Sequence, residues 1–131
     1  MLYRKHAAGK DFIVTDAGMN DLMRPSLYSA YHAIDPVIET TGTVTADVVG
    51  PICESGDFFA KERPMADVSA GDLLVVRTTG AYGYAMSSNY NSRPRPTEVL
   101  ADASRFATAT VRETVEDLMR LEQTHLHWRS T

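Results

Sequence analysis

Apolar positions along this chain come in short bursts separated by turn residues, the pattern of strands rather than of long helices. Residues 12–15, "FIVT", are aromatic and β-branched and predict a buried strand. "DAGMND" after it predicts a turn, and "LMRPSLYSAYH" a short helix or 3₁₀ turn near residues 22–30, with Pro25 at its first position. "AIDPVIET" and "VTADVVG" predict two strands joined through "TTG". "FFAKERP" predicts a short alternating or edge strand ended by Pro64, and "LLVVRTT", after the turn "SAGD", the strongest strand of all. "GAYGYAMSSNYNSRPRP" predicts a loop with a short helical or bulged piece. "TEVLAD" and "RFATATVRE" predict a hairpin across "AS".

The last element has a different period. Thr114 with Asp117 three residues on is a capping-box pattern, and Val115, Leu118 and Met119 mark an apolar stripe with Leu121 beside it. This predicts a terminal helix over about 115–125. There is no internal repeat, low-complexity tract or linker. The fold class expected is mostly β, a barrel or bent sandwich of short strands, as a single β-rich domain over residues 1–131.

Composition narrows the class. The chain has 131 residues, 44% hydrophobic and 23% charged, within the globular range and enough for a real core. Its net charge of −4 argues against a general attraction to nucleic acid or anionic membrane. The arginines near 93–95 read as a proline-spaced surface loop. No apolar run approaches membrane-spanning length, and the opening "MLYRKHAAGK" lacks the apolar region of a signal peptide. One cysteine cannot form an internal disulfide, so a reducing, cytoplasmic setting is expected.

Candidate chemistry is thin when each motif is read singly. His6, His32, His125 and His127 show no i, i+4 pair, and they read as surface or tail residues rather than metal ligands. "GAYGYAM" has two glycines but no lysine, and it fails both the P-loop and the dinucleotide fingerprint. Cys53 is the only thiol. A free cysteine is most often a small buried hydrophobe, yet Glu54 adjoins it and Ser55, Gly56 and Asp57 follow as a polar turn. At a strand end Cys53 and Glu54 could converge on one ligand. A thiol of ordinary pKa, about 8.5, is mainly protonated at neutral pH, and a carboxylate beside it disfavours the thiolate. That favours a proton donor over a nucleophile. Arg24 and Tyr28, four apart, would share a helix face and could clamp a carboxylate, or simply stack at the surface.

Taken in order, four blocks are far more specific: "DAGMNDLMRPSLYSAYH", "DVVGPICESGDFFAKER", "GDLLVVRTTGAYGYAMSSNYNSRPRPTEVL" and "RETVEDLMRLE". Together, over roughly residues 12–122, they resemble the carboxyl-terminal part of the diaminopimelate decarboxylase family, pyridoxal phosphate (PLP) enzymes of the alanine racemase-like fold type. The resemblance implies a β-rich domain that follows a TIM-type barrel carrying the Schiff-base lysine. It implies decarboxylation of meso-diaminopimelate to L-lysine at sites shared across a homodimer. By matching motif it implies Cys53 as proton donor acting in trans and Glu54 as the contact to the substrate's distal amino group. It likewise implies Arg24 and Tyr28 as contacts to a substrate carboxylate and Tyr82 as a contact to cofactor and substrate.

The family's barrel, lysine and phosphate-binding segment are absent from these residues, and Val115 stands where an aromatic is common. The chain alone is therefore expected to be catalytically incompetent, with a PLP barrel domain and a homodimer partner as its implied partners. Two other readings stay open. One is the equivalent domain of a sister decarboxylase for another basic amino acid or polyamine precursor. The other is a non-catalytic dimerisation module. "HLHWRST", at the end of the chain, has no assigned role.

Overall fold

In the computed structural model, which describes residues 1–123, 125, 128 and 129, the apolar bursts become eight strands. These are β1 (Tyr3–Ala7), β2 (Lys10–Val14), β3 (Ile34–Pro36), β4 (Thr43–Val49), β5 (Phe58–Ala66), β6 (Leu74–Val76), β7 (Glu98–Asp102) and β8 (Arg105–Thr110). Three short helices accompany them, α1 (Arg24–Tyr28), α2 (Gly80–Ala85) and α3 (Val115–Met119), with a 3₁₀ turn at Tyr90–Ser92. The mostly-β expectation holds. The barrel does not, because the strands form three separate sheets that do not close: β1-β2-β4-β5, β3-β6 and β7-β8.

The chain divides into two compact units, Met1–Ser88 and Asn89–Thr131. In the first, β1 and β2 form a hairpin across Ala8 and Gly9, both at positive φ (51° and 75°), as a two-residue primed turn requires. Strand β1 escapes sequence reading because its residues are almost all exposed and show no buried alternation. Strands β2 and β4 run parallel, with Ile13 opposite Val48. A parallel pair needs a long crossover, and here residues 15–42 supply it. That crossover carries α1.

Several expected elements differ in extent. Strand β5 runs through Pro64 instead of stopping there, because β5 is a sheet edge and Pro64 has no inner ladder bond to donate. Strand β6 has only three residues. Its partner β3 is equally short, and Thr78 and Gly80, both at positive φ, turn the chain away after it. The two strands expected around "TTG" fall in different sheets, β3 beside β6 and β4 beside β5. Helix α3 ends at Met119, short of the expected 125. Its capping box is present, but its apolar residues Val115 and Met119 stay exposed, so little burial extends it. Residues 124, 126, 127, 130 and 131 lie outside the described residues, His127 among them.

The apolar core belongs to the first unit. Ile13, Val48, Phe59, Leu22, Met65 and Val68 are all buried there. His32, expected at the surface, is only 1% exposed. Its Nδ1 lies 2.9 Å from the Arg77 carbonyl, and Arg63 donates to the His32 carbonyl at 2.6 Å while stacking over Tyr31. These contacts tie the chain leaving α1 to β5 and to the end of β6. No helix among the described residues is long and apolar enough to cross a membrane.

Candidate functional site

Three pieces of the first unit carry the residues singled out by sequence: helix α1, the turn between β4 and β5, and helix α2. Helix α1 is only five residues long. Pro25 sits in its first turn, where a missing N–H is no loss, and Ser29 ends it in the left-handed conformation (φ 54°). One helical turn separates Arg24 from Tyr28, so the two share a face as predicted. Arg24 is half-buried and Tyr28 is exposed.

Residues 50–57 form a tight turn, as the sequence suggested. Glu54 N–H donates to the Ile52 carbonyl at 2.8 Å, and Asp57 N–H to the Glu54 carbonyl at 3.0 Å. Gly50 N–H closes the loop onto the Asp57 carbonyl at 3.1 Å. Cys53, Glu54 and Ser55 are exposed at its tip. Core filling is therefore excluded for Cys53: the neighbour facing inward is Ile52, 8% exposed. Asp57, expected in an exposed polar turn, is instead buried at 4% exposure.

Helix α2 presents Tyr82 to solvent, and the Arg24 guanidinium lies 5.7 Å from the centre of its ring. That cation–π contact brings α1 and α2 together. The turn meets α1 differently, through Gly56: a Cβ there would come within 2.9 Å of Ser26 Oγ. A second link joins the turn to the chain leading into α1, where the Met19 N–H donates to Asp57 at 2.6 Å. The structure thus brings Arg24 onto Tyr82, places Tyr28 one turn along the same helix, and seats the Cys53–Glu54 turn against that helix.

The assembly offers a guanidinium, two phenols, a thiol and a carboxylate. It offers no amine. The chain's three lysines stand elsewhere: Lys5 on β1, Lys10 bound to Glu62 at 2.7 Å, and Lys61 over the Phe58 ring at 3.9 Å. Among the described residues no group of three or more His, Cys, Asp or Glu side chains is arranged to hold a metal ion. Sequence reasoning missed the packing residues Ser26, Met19 and Asp57. The glycines at 50 and 56 were the available signal, since each marks a place where a side chain comes too close for a Cβ.

Residues 1–80 match the family model described as pyridoxal-dependent decarboxylase, C-terminal sheet domain. The chain is 50% identical over 119 residues to the diaminopimelate decarboxylase of Neisseria meningitidis serogroup B, covering 90% of this chain and 28% of that protein. Among solved structures it is similar to diaminopimelate decarboxylase from Helicobacter pylori complexed with L-lysine. That match has a TM-score of 0.85 and 44% identity, and covers 92% of this chain and 30% of the other. It is also similar to the diaminopimelate decarboxylase of M. jannaschi, with a TM-score of 0.90 and 35% identity, covering 95% of this chain and 29% of the other. The chain spans less than a third of the length of each of these relatives.

Proposed function

We propose, from the premise that this chain belongs to the C-terminal sheet domain family of pyridoxal-dependent decarboxylases, that it is the substrate-facing and interface-forming domain of a diaminopimelate decarboxylase. The observation that carries this reading is that Arg24 lies on Tyr82 while Cys53 and Glu54 stand exposed at the tip of a turn braced on α1, open to a partner's site. meso-Diaminopimelate bears a carboxylate and an ammonium at its far end. Arg24 supplies two-pronged donors for that carboxylate and Tyr28 a hydroxyl. Across the dimer, Glu54 supplies the counter-charge for the ammonium.

The residues present fit PLP only as a peripheral contact. Tyr82 can offer its hydroxyl, but no lysine stands on α1, the turn or α2, so the covalent anchor must come from a partner barrel domain. When bound, PLP provides the electron sink for the pair left behind by carbon dioxide. Cys53 delivers the proton to the carbon that has lost its carboxylate. Cys53 and Glu54 act across a homodimer, on the partner's bound substrate, which is why both are exposed in a single chain. The absence of a membrane-crossing helix among the described residues is compatible with a cytoplasmic enzyme.

The test is made in the complete decarboxylase, with L-lysine formation from meso-diaminopimelate as the assay. Cys53→Ala should lower kcat by about 10²- to 10⁴-fold, the usual worth of a positioned proton donor. Arg24→Lys should raise KM while leaving kcat closer to the parent. Mixing Cys53→Ala subunits with subunits lacking the Schiff-base lysine should restore part of the activity. Unchanged kcat in Cys53→Ala would sink the proton-donor role, and no recovery on mixing would sink the action in trans.

A further inference from the structure

Asp57 lies at the base of the Cys53–Glu54 turn, and its carboxylate is almost wholly removed from water, at 4% exposure. A buried carboxylate is costly unless its oxygens are satisfied. Here each oxygen takes a backbone N–H at 2.6 Å, one from Ile52 inside the turn and one from Met19 on the other side of the site. These are short, charge-assisted bonds. They join two segments that are 33 positions apart in sequence and that flank the proposed proton donor on one side and the proposed carboxylate clamp on the other.

The surroundings are shaped for this carboxylate. A Cβ on Gly50 would run into both Asp57 oxygens, so the carboxylate occupies the space that any other residue at position 50 would need. A Cβ on Gly18 would come within 3.2 Å of one Asp57 oxygen and 2.9 Å of the Ile52 side chain. Asp57 is thus packed between two glycines, one on each segment it joins. Gly56 then lets the turn rest on Ser26 and Met19. The turn cannot shift relative to the entry of α1 without breaking one of the two bonds.

We infer that Asp57 is a positioning residue: its carboxylate holds the Cys53–Glu54 turn in register with the segment that leads into Arg24 and Tyr28. The inference rests on the roles proposed above for those four residues. Asp57 itself touches no reacting atom and acts through Ile52 and Met19. A misplacement of about 1 Å in a proton donor can cost on the order of 100-fold in rate.

Two variants of the complete decarboxylase test this. Asp57→Asn keeps the size but points an NH₂ group at one of the two N–H donors. Gly50→Ala keeps the acid but pushes a methyl group into its place. Both should lower kcat about 10- to 100-fold with a smaller change in KM. Gly50→Ala, which displaces the whole carboxylate, should speed amide hydrogen exchange at Ile52 and Met19 together, and Asp57→Asn at the amide left facing the NH₂ group, while β2 and β4 keep their protection. In Gly50→Ala, exchange faster at only one of the two amides would overturn the inference, as would normal kcat in both variants while Cys53→Ala is crippled. Loss of protection throughout β2 and β4, or failure to fold, would make Asp57 a residue of general stability and overturn it too. Should Cys53→Ala itself keep full activity, the functional reading fails. The paired exchange at Ile52 and Met19 then still decides whether Asp57 couples the segments.

Discussion

The two compact units of this chain are held together by different physics. Met1–Ser88 has an apolar core, with Ile13 fully buried and Val48 and Val68 nearly so. In Asn89–Thr131 the strands β7 and β8 are exposed along almost their whole length, with Leu100 at 66% and Phe106 at 80% exposure. Among the described residues there, a carboxylate clamp takes the place of a core. Glu113 accepts from the Asn89 side chain at 2.6 Å and from the Arg95 backbone N–H at 2.8 Å, and it pairs with the Arg95 guanidinium at 3.1 Å. Each unit therefore has a carboxylate that gathers donors from distant positions, Asp57 two backbone N–H groups in one and Glu113 one backbone N–H and two side chains in the other. Among the described residues, only the first is backed by buried apolar surface. The candidate site lies entirely in the unit that has the core, where donors can be held still.

The sharpest way to break this contrast is to truncate one apolar residue in each unit. Ile13→Ala removes a fully buried side chain and should cost about 2–5 kcal/mol. Phe106→Ala removes a larger side chain that is mostly in water and should cost no more than about 0.5 kcal/mol. Denaturant melts of the two variants measure both. Equal losses would mean that Phe106 is covered in the working assembly, and the contrast would then describe the single chain only.

The same contrast explains what could be read from the sequence. Where burial is one-sided, the pattern speaks: "FIVT" marked β2. The β7–β8 hairpin was legible from the strand-like segments "TEVLAD" and "RFATATVRE" although it faces water, whereas the positive φ of Ala103 at its turn has no signal in an alanine. Strand β1 was silent because its residues face water. "LLVVRTT" overstated β6, since hydrophobic β-branched residues reveal propensity but not the length of the partner strand. The placement of Arg24 and Tyr28 on one helix was legible from their spacing. The resemblance to a known family, not the spacing, assigned them roles. Asp57 was read as one more polar turn residue, because a sequence shows which residues can bond but not that two distant amides converge on one carboxylate.

A smaller effect probes the polar clamp. Its hydrogen bonds, first that from the Arg95 backbone N–H and then that from the Asn89 side chain, hold the Glu113 carboxyl below the usual carboxylate range. A carboxyl whose pKa is lower in the folded state stabilises the fold above its ordinary value, and that stabilisation is lost as pH falls through the lowered one. The Arg95 amide should therefore lose exchange protection as pH is taken from neutral to about 3, below ordinary carboxylate values. In Glu113→Gln protection at neutral pH should start lower, and the acid-dependent part at this amide should vanish. An unchanged acid dependence at Arg95 in the variant would show that another group controls the clamp.

The smallest expected effect lies at α3. Thr114 Oγ accepts the Asp117 N–H at 3.2 Å, while the Asp117 carboxylate accepts the Thr114 N–H at 2.8 Å and its hydroxyl at 2.9 Å. Those bonds hold the Asp117 carboxyl below its usual range, the backbone N–H of Thr114 most of all. Thr114→Ala deletes the hydroxyl and leaves the backbone bond, so it should weaken α3 by about 1 kcal/mol, the common worth of an N-cap. Thr114→Ser should recover most of it. The readout is amide exchange over residues 115–119. A five-residue helix with no buried side chain has little besides its cap to keep it wound, so even this modest loss should be visible there. Protection in β7 and β8 should not change. If the hairpin amides loosened along with α3, the cap would be stabilising the whole second unit, and Glu113 would no longer be the main element holding that unit together.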